Sequence, residues 1–474
     1  MRAMSPRVLL LGIALLVGCD HTSFTDCSIQ CTTETGCPSG LACGDEGYCR
    51  IDTAGPSCAT LNEGPEVLNI KAVQNPDLDL LFVIDDSASM ADKQTALIDA
   101  FPAFLARLAT VDGGLPNLHL GVISSDMGTK GSAVEQPGAP ISSCSGSGLD
   151  GLLQTGSAPL TDLYAIAMRN GTKNFTGLLA DTFRQMAALG AAGCGFEQHL
   201  HAMRTSFTNP GNLGFLRPTA NLAVVILADE DDCSVLDPVV MANDMGPLGP
   251  LQSFRCFEYG VECMPDAPRV LGDKAMCRPR ATSPYIEDIA PFRAALLAQK
   301  GGDARRIMLG TIIGNPSPVG VEDRLLNGTM QRALKHSCEI ALPGGMLVAD
   351  PPVRLRALAE SFPGRFSVAS VCSEDLTSSV IQIAGEVKRL VGDTCLERPI
   401  ANPAAPDCDV EDVRDAAPNS PIAIRPCVSA PAGVDCYALA TDATCTEPPH
   451  VRLSVTRATV PTDDTWTRVR CTLP

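Results

Sequence analysis

Short, saturated apolar runs recur through the middle of the chain, each ending in polar residues and followed by a stretch of helical periodicity. The first, Leu80-Leu81-Phe82-Val83-Ile84, has the length and saturation of a strand buried on both faces of a parallel sheet. It stops at Asp85, Asp86, Ser87, Ala88 and Ser89, and a helix is expected over 91–108, with Pro102 as a point of kinking or division. A second strand over 118–124 ends in Ser125 and Asp126, and a third over 223–228 ends in Asp229, Glu230, Asp231 and Asp232. Between them the pattern predicts a short antiparallel edge strand at 175–177, a helix over 178–189, a glycine-rich turn through Gly193, Cys194 and Gly195, and a helix from 197. Helices over 286–299, 353–361 and 376–390 then alternate with strands over 306–313 and 366–371. The alternation predicts an α/β domain over 70–392, built on a doubly wound, mostly parallel sheet flanked by helices. Right-handed crossovers bring every parallel strand end to one edge, so the three acid-tipped ends converge where such sheets bind ligands.

Asp or Ser before a helix can simply cap it. Capping accounts for one such residue, not for the alternating set Asp85-x-Ser87-x-Ser89. That set, directly after an apolar strand, resembles the metal-ion-dependent adhesion site of a von Willebrand factor type A (VWA) domain, a Rossmann-like fold. The resemblance implies that Ser87 and Ser89 ligate Mg²⁺ (or Mn²⁺ or Ca²⁺) directly while Asp85 acts through water. It also implies that a Thr and a second Asp from later loops complete the shell, and that a partner's carboxylate takes the open position. Hard oxygen donors with few charges and a vacant position suit Mg²⁺.

Asp229 stands where the second Asp is expected, although Thr-Asp-Gly is replaced by Ala228-Asp229-Glu230. No Thr is evident for the middle loop, where Cys194 falls instead. Asp126 is either a supporting group or the former of an Asx turn. Asp231 and Asp232 are either solvated loop charges or a further cation position, because clustered carboxylates repel unless neutralised. Two segments exceed what the fold needs, 128–159 and 237–283; both follow strands that end at the acidic edge, and their cysteines would tie them into a shaped surface.

Residues 1–18 carry two arginines and an apolar core and read as a secretory signal, too short to span a bilayer. Leu16-Val17-Gly18-Cys19 resembles a bacterial lipobox, which implies cleavage before Cys19 and its lipidation, hence an anchored protein of the cell envelope. The outer membrane or cell surface is favoured, with the inner membrane as the alternative that Asp20 would signal. Of 21 cysteines, 20 remain beside Cys19, and they fall into even groups of six over 27–58, eight over 144–372 and six over 395–471. That arithmetic predicts disulfides made in an oxidising compartment, since paired Cys-x2-Cys knuckles and nearby histidines are lacking. The segment 19–62 reads as a small disulfide-stapled stalk and 395–474 as a small all-β module.

A formal charge of −18 argues against nucleic acid, which needs a basic footprint. No nucleophile elbow, Walker loop or His-Glu-x-x-His helix occurs, so no catalytic set is expected. His199 and His201, two apart on a helix, are expected at the surface. Two alternatives to cation-dependent adhesion remain: a structural envelope protein with a vestigial site, and a metal-dependent hydrolase on the same edge.

Overall fold

The computed structural model describes residues 42–43, 49–50, 66–129 and 144–472, with breaks at 145, 243–245, 327, 343–344, 397–399, 401, 403–406, 444, 446–449 and 463. The expected signal peptide over 1–18, Cys19, most of the stalk over 19–62 and residues 130–143 of the first long insertion lie outside the described residues.

Two short strands, β1 (Ala42–Cys43) and β2 (Cys49–Arg50), pair antiparallel. Then follow β3 (Glu66–Lys71), β4 (Asp77–Ile84), α1 (Ala91–Leu108), β5 (Asn117–Ser124), β6 (Ala165–Ala167), α2 (Leu179–Ala187), α3 (His199–Ser206) and β7 (Asn221–Leu227). A first inserted block carries α4 (Phe254–Gly260), β8 (Val261–Met264) and β9 (Gly272–Pro279). After α5 (Ala290–Gln299) and β10 (Ile307–Ile313) comes a second block, β11 (Val319–Leu326), β12 (Thr329–Leu334), β13 (Cys338–Leu342) and β14 (Gly345–Ala349). The α/β part ends with α6 (Val353–Glu360), β15 (Phe366–Ser370) and α7 (Thr377–Leu390). The remainder is β16 (Cys395–Leu396), β17 (Cys408–Arg414), β18 (Ala417–Pro426), β19 (Cys436–Thr441), β20 (Val451–Thr456) and β21 (Thr465–Cys471).

The main sheet has the order β15-β10-β7-β4-β5-β6. Its pairs are parallel except for β5 with β6. The chain starts in the middle at β4, runs outward through β5 and β6, then returns to β7 and runs outward the other way. The order reverses between β4 and β7, the place where open α/β sheets bind ligands. The apolar runs are saturated because both faces are covered. Leu80, Phe82 and Ile84 pack with residues of α1, α2 and α7, whereas Leu81 and Val83 pack with residues of α3, α5 and α6. Phe82, Phe101, Phe104 and Phe183 form an aromatic cluster at the centre of the first face.

Three expectations are corrected. The antiparallel edge strand is β6, not 175–177; Phe175 is buried in the core instead, and Lys173 alone bridges to Ala167. Pro102 does not divide α1, which runs through it. The domain boundary also moves, because β3 pairs with β21 from Glu66 to Lys71 and Ile70 joins the C-terminal core. The C-terminal sheet, ordered β16-β20-β19-β18-β17-β21-β3, therefore holds strands from both sides of the α/β domain, which is an insertion within it.

The eight cysteines over 144–372 pair among themselves as Cys144–Cys194, Cys233–Cys256, Cys263–Cys277 and Cys338–Cys372. The last six pair as Cys395–Cys445, Cys408–Cys471 and Cys427–Cys436. These seven disulfides fit an oxidising, extracytoplasmic compartment. Among the described residues no helix is long and apolar enough to cross a membrane.

Candidate functional site

β4 and β7 run in register, with Ile84 opposite Leu227, and the Asp85 N–H continues the ladder by donating to the Leu227 carbonyl at 3.0 Å. Asp85 and Asp229 thus leave adjacent strands at the point where the strand order reverses. The Asp85 Oδ1 accepts from the Ser87 N–H at 2.8 Å, folding the chain back so that the Ser87 and Ser89 hydroxyls come within 3.4 Å of one another. None of the three caps α1: its N-cap is Met90, which makes no side-chain capping bond. Gln94 braces the turn, its amide donating to the carbonyls of Asp85 and Gly190, both at 2.8 Å.

The buried carboxylates have fewer partners than burial demands. Asp85 Oδ2 has no hydrogen-bond donor and meets only His199 Nε2, at 3.5 Å. Asp229 is 2% exposed, and the cation facing it is Lys93, whose Nζ lies 3.0 Å from Asp229 Oδ2. Burial and the neighbouring Asp85 push the Asp229 carboxyl up to about 6, against the pull of Lys93 and Ser89. Burial lifts Asp86 to about 7, opposed by its bond with Ser124 and helped by Asp126 and Asp85. Glu197 and Glu230 are both held well above the ordinary carboxylate range, by burial first and then by the surrounding acids. Such carboxyls stay protonated unless a cation compensates their charge.

The remaining sequence candidates have other employment. Asp126 Oδ1 accepts from the Gly128 N–H at 2.7 Å, the bond of an Asx turn. Asp231 receives the N–H groups of Arg354 at 2.8 Å and Leu355 at 3.1 Å, so it caps α6 from a distant loop. Asp232 pairs with the buried Arg354 at 3.0 Å and accepts the Leu200 N–H of α3 at 2.9 Å. Asp232 is buried and Asp231 partly buried, and both are held by these structural partners. Cys194 is joined to Cys144, so its sulfur is committed, and it offers no hydroxyl where the resemblance wants one.

Sequence reasoning missed Lys93, His199 and Glu197. His199 and His201, expected at the surface, are both buried, and His201 Nε2 is 2.9 Å from Glu287 Oε2. The His199 pKa is raised: burial alone would lower it, and the carboxylates of Asp85, Asp232 and Asp231 together outweigh that. One signal for Lys93 was available. A lysine at the third position of a helix opposes the macrodipole and calls for an acidic partner.

Beside Ser89 and Asp229 opens a cavity of about 180 Å³. Its walls come from both inserted blocks and include Glu230, Gln252, Phe254, Arg324, His336 and Asp350. His336 Nδ1 lies 2.6 Å from Asp350 Oδ1, and the Asp350 N–H donates to the Asp229 carbonyl at 2.7 Å, which fastens this wall to the acidic loop. Among the described residues, no group of three or more His, Cys, Asp or Glu is arranged to hold a metal ion by itself. Any ion held here would rely on the serine hydroxyls together with Asp85 and Asp229, hard oxygens whose unpartnered atoms fit a small divalent cation.

The raised acids set the pH dependence. A carboxyl whose folded pKa lies above its unfolded value stabilises the fold at low pH, and that stability is lost as pH rises through the folded value. With Asp86 near 7 and Asp229 and Asp231 near 6, against 3.8 for a free carboxyl, the ion-free melting temperature should fall between about pH 4 and about pH 7. Thermal denaturation in chelator measures this, and Asp86→Asn should flatten the slope. A melting temperature that climbs over that window would contradict the assignment.

No family model matches the chain, and no curated protein matches it. Among solved structures it overlaps a von Willebrand factor type A protein from Catenulispora acidiphila at 9% identity and a TM-score of 0.27, over 86% of this chain and 66% of that one. The PilB minor pilin from Streptococcus sanguinis overlaps at 13% identity and a TM-score of 0.27, over 73% of this chain and 64% of the pilin. The human COPII-coat protein Sec24c does so at 8% identity and a TM-score of 0.29, over 95% of this chain and 49% of that one. The chain thus spans about two thirds of the length of the first two and half of the third. Overlaps this partial leave the fold to be read from strand order and the function from the residues.

Proposed function

We propose that this is a lipid-anchored protein of the bacterial cell envelope, whose VWA-like domain binds a divalent cation and through it a carboxylate on a protein or matrix partner. The observation that carries the reading is the meeting of Asp85, Ser87, Ser89 and Asp229 at the strand-order reversal, with carboxylate oxygens left short of donors. In the bound state Ser87, Ser89 and Asp229 would hold the ion, with Asp85 in the same shell; the ion supplies the positive charge that an acidic partner needs. Without it the acidic edge would repel such a partner. The disulfide-tied blocks around the neighbouring cavity would shape partner choice, and no catalytic role is assigned.

The second reading is a structural envelope protein with a vestigial site. It is favoured by the Cys144–Cys194 bond where a ligating Thr is wanted. Calorimetric titration of Mg²⁺, Mn²⁺ and Ca²⁺ decides between them, with Asp85→Ala as control. We expect saturable binding at or below about millimolar, roughly −4 kcal/mol, that the control abolishes. A folded protein that takes up none of the three ions would establish the second reading.

A further inference from the structure

We propose that Lys93 is a tethered cation that occupies the charge position of this site, so that a divalent ion binds by displacing it. The inference rests on the cation reading above and concerns how the ion gains entry. Lys93 lies in the first turn of α1, and its side chain is 2% exposed. Its ammonium is 3.0 Å from Asp229 Oδ2 and 2.9 Å from the Ser89 carbonyl, with Asp92 Oδ1 at 3.6 Å. Ser89 and Asp229 come from different loops, and both are expected ion holders. The ammonium therefore sits between the residues a metal would bridge, donating to the Ser89 carbonyl and paired by charge with Asp229 and, at longer range, with Asp92.

A buried carboxylate pair leaves room for one counter-charge. A divalent ion placed beside Asp229 would face the ammonium across a few ångströms of low-dielectric interior, so the two exclude one another. The second carboxylate makes exchange feasible. Asp92 is exposed and flanks the ammonium on the solvent side, so a rotation of the four-carbon stem carries Nζ from Asp229 toward Asp92. With no ion, Lys93 keeps the acidic edge neutral enough to fold. With the ion bound, it stands on the rim as a positive group beside the partner's approach. Ion affinity is set low by this competition, which makes occupancy respond to the ion concentration outside the cell.

The test titrates Mg²⁺ and Mn²⁺ calorimetrically into wild type, Lys93→Met and Lys93→Gln, and records melting temperatures with ion and with chelator. Both variants are expected to bind at least about tenfold more tightly than wild type, a change of about 1.4 kcal/mol. They should also melt lower in chelator and gain more from the ion than wild type does, since removing the ammonium leaves Asp229 unpaired. A variant that folds only with ion present supports the proposal by the same logic. Equal affinities in folded variants and wild type would overturn the displacement while leaving the cation site intact. Absence of ion binding in all three, each folded, would overturn the cation reading and the displacement with it.

Discussion

Replacing Arg354 with alanine should cost the fold about 3–5 kcal/mol, the range for removing one partner of a buried ion pair. Arg354 is fully buried at the start of α6. Its guanidinium spans three otherwise separate segments: the Asp232 carboxylate at 3.0 Å, the Glu287 carbonyl at 2.7 Å and the Gly260 carbonyl at 3.4 Å. The alanine variant leaves Asp232 buried, still holding the N–H groups of Leu200 and Ser234 but with no counter-charge. Because Leu200 opens α3 beside His199, the damage should reach the acidic edge, and ion binding should weaken along with stability. Urea unfolding gives the first number, and calorimetry in the folded range gives the second. Arg354→Met combined with Asp232→Asn should recover part of the loss, because it removes the stranded charge. A single-variant cost under about 1 kcal/mol would place this pair with exposed ion pairs of little worth.

The residues that make Arg354 important were visible in the sequence, while their arrangement was not. Asp229 to Asp232 read as a run of charge, and nothing in the run distinguishes Asp229, which faces Lys93, from Asp231, which caps a helix more than a hundred residues later. Capping of that kind is set by which loop passes a helix end in three dimensions. The buried histidines were misread for a related reason. Their spacing describes one helix, whereas burial depends on Asp85 and Glu287, which arrive from a strand end and the stretch just before α5.

The strands of the main sheet were legible because burial on both faces leaves a composition that needs no partner to interpret: LLFVI in β4 and AVVIL in β7 admit few other states. The opposite holds for β11 to β14. There Glu322, Asp323 and Arg324 interrupt the apolar alternation, and the strands exist through pairing with one another and with the first inserted block. The edge strand was misplaced for the same reason: Ala165 to Ala167 has little signal of its own and is a strand through its pairing with Leu118 to Leu120. The pairing of β3 with β21 joins opposite ends of the described chain, and no local pattern encodes a register of that range. The disulfides over 144–372 and 395–471 were legible as even groups by region, and within those two groups the partners follow the fold.

That long-range pairing makes the junction of the two sheets the place of the second large effect. Asp393→Ala should also cost about 3–5 kcal/mol, because it strands the buried Lys388 and takes one of several carboxylates from Arg452. Asp393 lies just after α7, with Oδ2 at 2.9 Å from Lys388 Nζ and Oδ1 at 3.3 Å from Arg452 Nη1. Lys388 and Asp393 are both buried, whereas Arg452 has further carboxylates in Asp442 at 2.6 Å and Asp112 at 3.0 Å. The stranded Lys388 should therefore dominate the loss, and adding Lys388→Met should restore most of it while Arg452→Met should not. The only tryptophan offers a local reporter. Trp466 is buried on β21, with Lys71 over its ring at 4.6 Å and Arg305 of the α/β domain at 4.1 Å. In wild type, tryptophan fluorescence and circular dichroism should follow one denaturant transition, since the inserted domain and the host sheet share this ionic seam. In Asp393→Ala both should shift to lower denaturant together if the seam stabilises the two sheets as one unit. A variant in which the helical signal is lost early while Trp466 keeps its wild-type midpoint would show that the host sheet stands without its insertion, and would refute that coupling.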